Sequence, residues 1–307
     1  MVAQRPIAEQ AADSFDKGAS ILEVGTGDGF LLELLVNQGF QDVSGIDPSR
    51  AAEKSTSPRV THGFFPTDLP DPAKKFDLIV CRHVLEHIDA PQPFVDSMAG
   101  ALKDNGQLWI EVPDLDTNIE RELWSNFYQL HCNYFNNATL DRLCAKSGLR
   151  CIGGEVVEIF GGSILRRYEL GSSDDLQQPM RLTAVPQQIT KYIDQLEKLA
   201  QQLPSGSVGY GAAERTAVIL GLGPSLLERI GCLYDGNDLL SGRYLAGTKL
   251  KIKAAKTLYS DPPPAIVLFA LSNRREILAS WKGNLPDDTL VAIPAGDFSI
   301  RPLGELS

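Results

Sequence analysis

Cysteine is scarce in this chain of 307 residues: five are present, at positions 81, 132, 144, 151 and 232, and no two form a C-x-x-C pair. That scatter argues against a zinc site built from cysteines and fits the reduced thiols of a cytoplasm. Positive charge is also in deficit, with 29 Lys and Arg against 39 Asp and Glu and a net charge of −10. Non-specific binding to a phosphate backbone is therefore disfavoured, and no local basic face is legible for a nucleic acid. No apolar run approaches the ~20 residues of a membrane-spanning helix. The first eighteen residues, MVAQRPIAEQAADSFDKG, are polar and lack the apolar core of a secretion signal. The expectation is a cytoplasmic protein with neither a nucleic acid nor a membrane as partner. With 43% hydrophobic and 22% charged residues, the chain has the composition of an ordinary globular protein and the length for two domains.

What is present is most informative at Ile21–Gly29, ILEVGTGDG, followed by Gly45-Ile46-Asp47-Pro48, whose Asp47 stands eighteen residues after Gly29. The apolar run Ile21–Val24 predicts a buried strand, the three glycines a tight turn, and Phe30–Val36 (FLLELLV) the opening of a helix. Glycine is needed where backbone must approach a ligand without a Cβ, and a helix start just beyond offers free N–H groups. A second strand, Val43–Ile46, ends in Asp47, a carboxylate placed to accept both hydroxyls of an adenosyl ribose. The dinucleotide fingerprint G-x-G-x-x-G is incomplete, because Phe30 stands at its third glycine. Glu23 and Asp28 make the loop acidic, which opposes a pyrophosphate and attracts a sulfonium and an ammonium. S-adenosylmethionine carries both cations and no phosphate. The segment resembles the cofactor motif of the class I S-adenosylmethionine-dependent methyltransferases, which implies Glu23, Gly25, Thr26, Gly27, Asp28, Gly29, Asp47 and Pro48 as cofactor residues. Asp68, in Thr67-Asp68-Leu69-Pro70, stands where such enzymes hold the adenine, with a plain turn aspartate as the alternative. Arg82, at the end of the next strand, completes the expected cofactor set.

The first half alternates strands, at 20–25, 42–46, 76–81 and 106–112, with helical patterns, and Pro58–Gly63 suggests a shorter edge strand. Continuous apolar character in FDLIVC and GQLWIEV fits parallel strands covered on both faces. The expected fold class is α/β: a Rossmann-like doubly wound sheet over 1–170, closing in a hairpin around Gly161-Gly162. A linker and an amphipathic helix follow over 171–204, with Ile189, Tyr192, Ile193, Leu196 and Leu199 at helical spacing. Residues 205–307 predict a second, smaller Rossmann-like domain, opening on Val208-Gly209-Tyr210-Gly211. Glu214 takes the third glycine position there, so a scaffold or substrate wall is favoured over a dinucleotide site.

His83-Val84-Leu85-Glu86-His87 has the H-x-x-E-H spacing of one class of zinc peptidase. Histidines at i and i+4 on a helix would share a face and a metal. The position directly after a strand, with no third ligand in view, argues against it. The expectation is no metal, with His87 on a helix facing the cleft or in a capping role.

Tyr128–Asn136, YQLHCNYFN, gives the family. With Glu111–Pro113 (EVP), the VLEHI run, Phe160-Gly161-Gly162-Ser163, Gly209–Arg215 (GYGAAER) and Gly242–Thr248 (GRYLAGT), it resembles the nucleotide-sugar C-methyltransferases of deoxysugar biosynthesis. The resemblance runs from Ile21 to about Trp281. It implies methylation of carbon 3 of a dTDP-linked 4-keto-deoxysugar, with S-adenosylhomocysteine as product; a monomer or homodimer is the expected working form, which the sequence leaves open. On the family motif Tyr-His-Glu-His, His131 matches the second histidine and is the expected base, and Tyr128 matches the tyrosine, a donor to the keto oxygen. His87, Gly161, Gly162, Ser163, Tyr210 and Arg215 are the expected substrate contacts, with Arg166, Arg167 and Arg243 as further diphosphate candidates. Two departures stand out: Gln129 and Leu130 replace the family's histidine and glutamate, and no counterpart of the family's N-terminal cysteine-built zinc module is expected. They leave open O- or N-methylation of a sugar or other small molecule, or a binding module without turnover. A nicotinamide-dependent oxidoreductase is opposed by the missing third glycines.

Overall fold

The computed structural model describes residues 5–157, 162–172 and 182–306. They sort into two compact units, Met1–Thr117 with Leu130–Met180, and Asn118–Gln129 with Arg181–Ser307.

In the first unit the strands are β1 (Ser20–Val24), β2 (Asp42–Asp47), β3 (Val60–His62), β4 (Phe76–Arg82), β5 (Leu102–Pro113), β6 (Leu149–Val157) and β7 (Ser163–Leu170). Their order in the sheet is β3-β2-β1-β4-β5-β7-β6. The first five run parallel, and β7 lies antiparallel between β5 and β6. The continuous apolar strands have a direct cause. Successive residues of a strand face opposite ways, and both faces of this sheet are covered. Ile79 and Cys81 of β4 join Val95, Met98, Leu140 and Cys144 of the helices Pro91–Gly100 and Asn137–Lys146. Leu78 and Val80 join Leu31, Leu32 and Leu35 of the helix Phe30–Asn37 on the other side. Burial of a leucine side chain contributes about 2–3 kcal/mol, so these three leucines hold the glycine loop's helix to the sheet. The helix Asn137–Lys146 starts at a reciprocal cap, Asn136 with Thr139, which satisfies its first donors.

The second unit has β8 (Val208–Tyr210), β9 (Leu233–Asp235), β10 (Ile252–Ala254), β11 (Ala265–Leu268), β12 (Leu290–Ala292) and β13 (Ile300–Pro302). Their order is β10-β9-β8-β11-β12-β13, parallel except for β13. Its five parallel strands repeat the order of the five parallel strands of the first sheet, on shorter strands, and a single antiparallel strand takes the place of the β7-β6 pair. The helix Val185–Gln202 belongs to this unit, buries Tyr192, Leu196, Leu199 and Ala200, and packs on the helix Pro224–Arg229. Its Tyr192 hydroxyl donates to Pro294 O at 3.0 Å. Both units are therefore α/β with Rossmann-like parallel sheets. No helix among the described residues is long and apolar enough to cross a membrane.

Candidate functional site

In an open parallel sheet, ligands bind at the carboxyl ends of the strands where the strand order reverses. In the first unit that point lies between β1 and β4, and the expected cofactor residues gather there. β1 runs into the glycine loop, whose Gly25 N donates to Ile46 O at 2.9 Å. Gly25 has φ +85, and a Cβ there would stand 2.0 Å from Val84 Cγ2, so only glycine fits. Gly27, at φ +59, faces open space instead, and its N–H donates to Asp47 Oδ2 at 2.9 Å. Ser49 N donates to the other oxygen, Oδ1, at 2.6 Å. Asp47 is thus fixed in place, and each oxygen keeps a lone pair for a further donor. Gly29 caps the helix Phe30–Asn37 in the left-handed region, and Asp28 Oδ1 accepts from Phe30 N at 3.3 Å. Pro48 O lies 3.2 Å from His62 Nε2.

Glu23 is buried under this loop, with Oε2 accepting from Thr26 Oγ1 at 2.7 Å. Burial pushes its carboxyl from 4.5 up to about 7, against the lowering by Thr26 and Arg82. The Thr26 side chain therefore turns inward to Glu23. Asp68 is exposed, and its Oδ2 accepts from Phe64 N at 2.8 Å. Arg82 is buried, with Nε on Glu111 Oε2 at 2.6 Å. The donor set fits an adenosyl ligand. Gly27 leaves room over the loop, Asp47 is oriented to accept hydroxyls, and Glu23 is an acid whose charge a cation would favour.

The H-x-x-E-H run does not form the helix its spacing suggests. His83 has φ 51, and only a single 3-10 turn, Leu85–His87, follows. The two histidines part company as a result. His83 turns to the sheet, with Nε2 at 3.1 Å from Glu111 Oε1 and Nδ1 at 3.4 Å from Glu86 Oε1. Burial alone would lower His83, but these carboxylates overcome it and raise the imidazole to about 9. Burial would likewise raise Glu111, yet His83 and Arg82 hold it low. His87 faces the other way, and its Nδ1 lies 2.7 Å from Leu130 O. The His87 and His131 rings stand 5.0 Å apart, edge to face. Backbone bonds fasten the two segments together, from Cys132 N and Asn133 N to Glu86 O at 2.8 and 3.1 Å. Asn133 Nδ2 adds a bond to Ile88 O at 2.6 Å.

Other expected contacts lie elsewhere. Gly162, at φ +126, packs on Thr117, and its carbonyl accepts from Asp114 N at 3.1 Å. Ser163 is fully buried opposite Pro113, while Gly161 lies outside the described residues. Arg166 and Arg167 form ion pairs with Asp141 and Glu155. Tyr128, Tyr210 and Arg215 belong to the second unit, whereas His131 belongs to the first. Arg215 is half-buried on the helix Glu214–Leu222, which packs on the turn Trp124–Asn126. Burial lowers its guanidinium, against the raising influence of Tyr128 and Glu214. Tyr210 packs edge-on to Trp281, ring centres 5.1 Å apart. The structure adds two acids that sequence reasoning named only as family marks, Glu86 and Glu111. A carboxylate inside the apolar GQLWIEV strand was the available signal for Glu111.

The sequence pattern of a methyltransferase-domain family matches residues 2–153. This segment is a class I S-adenosylmethionine-dependent methyltransferase domain. The methyltransferase domain thus carries the glycine loop, Asp47 and His131. Among proteins similar to the chain is the C-methyltransferase NovU of Streptomyces niveus, 24% identical over 90% of this chain and 72% of that protein. The ubiquinone biosynthesis O-methyltransferase of Coxiella burnetii is 32% identical over 36% of this chain and 49% of that protein. The chain thus spans about half the length of the O-methyltransferase. Among solved structures, the 1,6-didemethyltoxoflavin-N1-methyltransferase of Burkholderia thailandensis with S-adenosylhomocysteine superimposes at a TM-score of 0.44. It shares 17% identity over 55% of this chain and 79% of that one.

Proposed function

We propose that the protein methylates a carbon beside the keto group of a nucleotide-linked sugar. The observation that carries this reading is the similarity to a C-methyltransferase over 90% of the chain, which takes in both units. S-adenosylmethionine, when bound, supplies an electrophilic methyl on its sulfonium. Glu23, Asp47 and the loop Gly25–Gly29 bind that donor, with Asp47 accepting from the ribose and Glu23 answering the positive charge. A C–H bond becomes nucleophilic only once its proton leaves, and loss is easiest beside a ketone, where an enolate results. His131 takes that proton on a ring nitrogen, and imidazole suits the task because it titrates near neutrality. The developing oxyanion needs a donor, and Tyr128 is the candidate by its place in the family motif. The enolate carbon takes the methyl as the methyl–sulfur bond breaks, its electron pair staying on the sulfur of the departing S-adenosylhomocysteine, and the proton remains on His131 until solvent removes it.

Deuterium exchange tests the reading. A dTDP-4-keto-deoxysugar bound in heavy water with S-adenosylhomocysteine present is expected to exchange its proton at carbon 3. His131→Asn is expected to lower exchange and methyl transfer at least 100-fold while leaving donor affinity within about threefold. No exchange in the wild-type protein, with methyl transfer to a sugar hydroxyl instead, would replace carbon with oxygen as acceptor.

A further inference from the structure

We propose that Glu86, His87 and His131 are the protein ligands of a divalent transition-metal site of the zinc type. One ligand atom from each lies within 4.8 Å of the others. Proximity alone is weak evidence, and two further features point at an ion. Glu86 is only 2% exposed, and its Oε2 has no hydrogen-bond partner, although Oε1 faces His83. A buried carboxylate oxygen without a donor is costly unless something positive meets it. His87 supplies the second feature. Its Nδ1 faces a carbonyl oxygen, Leu130 O at 2.7 Å, so Nδ1 must carry the proton and the Nε2 of the neutral ring keeps the lone pair. A metal-bound imidazole characteristically donates its other N–H to a carbonyl, which fixes the tautomer and aims the lone pair.

The donor set defines the ion. Two imidazole nitrogens and one carboxylate oxygen suit zinc and its transition-metal neighbours, whereas magnesium and calcium take oxygen ligands. Tetrahedral zinc, with bonds of about 2.0–2.2 Å, holds its donors roughly 3.4 Å apart. Closing the donors to that spacing takes shifts of only about 1–2 Å, small enough for His87 to keep its bond to Leu130 O, and the exposure of His87 gives an ion its entry. The backbone bonds of residues 132 and 133 to Glu86 O keep the two contributing segments in register. Three ligands leave a fourth position for water or substrate.

One consequence rests on the function proposed above: a metal on His131 occupies the lone pair that would take the substrate proton, so zinc inhibits methyl transfer. The site itself does not depend on that reading. Untagged full-length protein, stripped with a chelator, is titrated with zinc against a chromophoric competitor. One equivalent is expected to bind with micromolar or better affinity, at least 100-fold tighter than magnesium. His87→Ala, at an exposed ring, and Glu86→Gln should each weaken binding at least tenfold, while Cys132→Ser leaves it unchanged. Equal zinc affinity in wild type and His87→Ala overturns the site, as does loss of binding in Cys132→Ser. Deuterium exchange on the metal-free protein separates the two ideas, since it tests the base whether or not zinc binds.

Discussion

Glu23 is a carboxyl in a place that disfavours its charge, and in the proposed donor site its protonation is the handle by which pH is expected to act. Raised from 4.5 to about 7, it keeps a proton in the folded chain that the unfolded chain has released. Unliganded stability therefore falls as pH rises through that window, by on the order of 3 kcal/mol. A bound sulfonium or ammonium favours the ionised form, so binding expels the proton. Affinity for S-adenosylhomocysteine, whose ammonium remains, is expected to rise about tenfold between pH 6 and 8. Calorimetry in buffers of different ionisation enthalpy should read proton release near pH 7, and Glu23→Gln should flatten the profile. The glycine loop gives a second prediction at this scale. Gly25→Ala meets Val84 at 2.0 Å and is expected to destabilise the fold severely, whereas Gly27→Ala meets no protein atom within 4 Å. The left-handed backbone at position 27 costs alanine about 1–2 kcal/mol. Gly27→Ala should therefore remain folded by circular dichroism while losing at least tenfold in donor affinity.

The ends of β4 and β5 are joined by a charge cluster that ties the site to the sheet. Glu111 accepts from Arg82 on one oxygen and faces His83 on the other, and His83 N donates to Glu111 O at 2.9 Å. Removing the acid leaves buried positive charge uncompensated, so Glu111→Gln is expected to cost about 3–5 kcal/mol in urea unfolding. The imidazole sets a pH window of its own. With His83 raised from 6.5 to about 9, its stabilisation is complete below pH 6.5 and is lost as pH climbs through 9. Denaturation midpoints between pH 6 and 10 should show that decline, and His83→Asn should remove it. The same element explains why H-x-x-E-H is no metal-binding helix. Its first histidine is held by two carboxylates, and the chain turns at φ 51 before any helical turn can carry both rings on one face.

Two sheets whose five parallel strands share one order occupy one chain, and the path between them is not a single linker. Residues 118–129 leave the methyltransferase unit and join the second one. There Trp124 is buried, stacks near Phe127 at 5.8 Å, and its turn packs on the helix Glu214–Leu222. A fragment ending at residue 180 would strip those aromatic rings of that packing. It is expected to aggregate on size-exclusion chromatography, and Trp124→Ser with Phe127→Ser should restore part of its solubility. Much of the backbone of the proposed donor site was legible without coordinates because its information is local. Strand, glycine turn, helix and strand-tip acid fall within Ser20–Asp47, and each step follows from hydrophobic period or from the backbone freedom of glycine. The membership of 118–129 was not legible, because an aromatic-rich segment reads equally as core or lid until its partner helix, ninety residues on, is placed. The strands β10 and β13 were not legible because each carries a charged residue at its centre, Lys253 and Arg301, so neither reads as a continuous apolar run. Pairing of Arg82 with Glu111, and the gathering of Glu86, His87 and His131, depend on which distant backbones a sheet and a turn bring side by side. An α/β chain with an acidic glycine loop can be read from the order of residues, since those are matters of spacing along the backbone. Which charges neutralise one another and which imidazoles meet emerges from the folded arrangement, because such contacts join residues tens of positions apart.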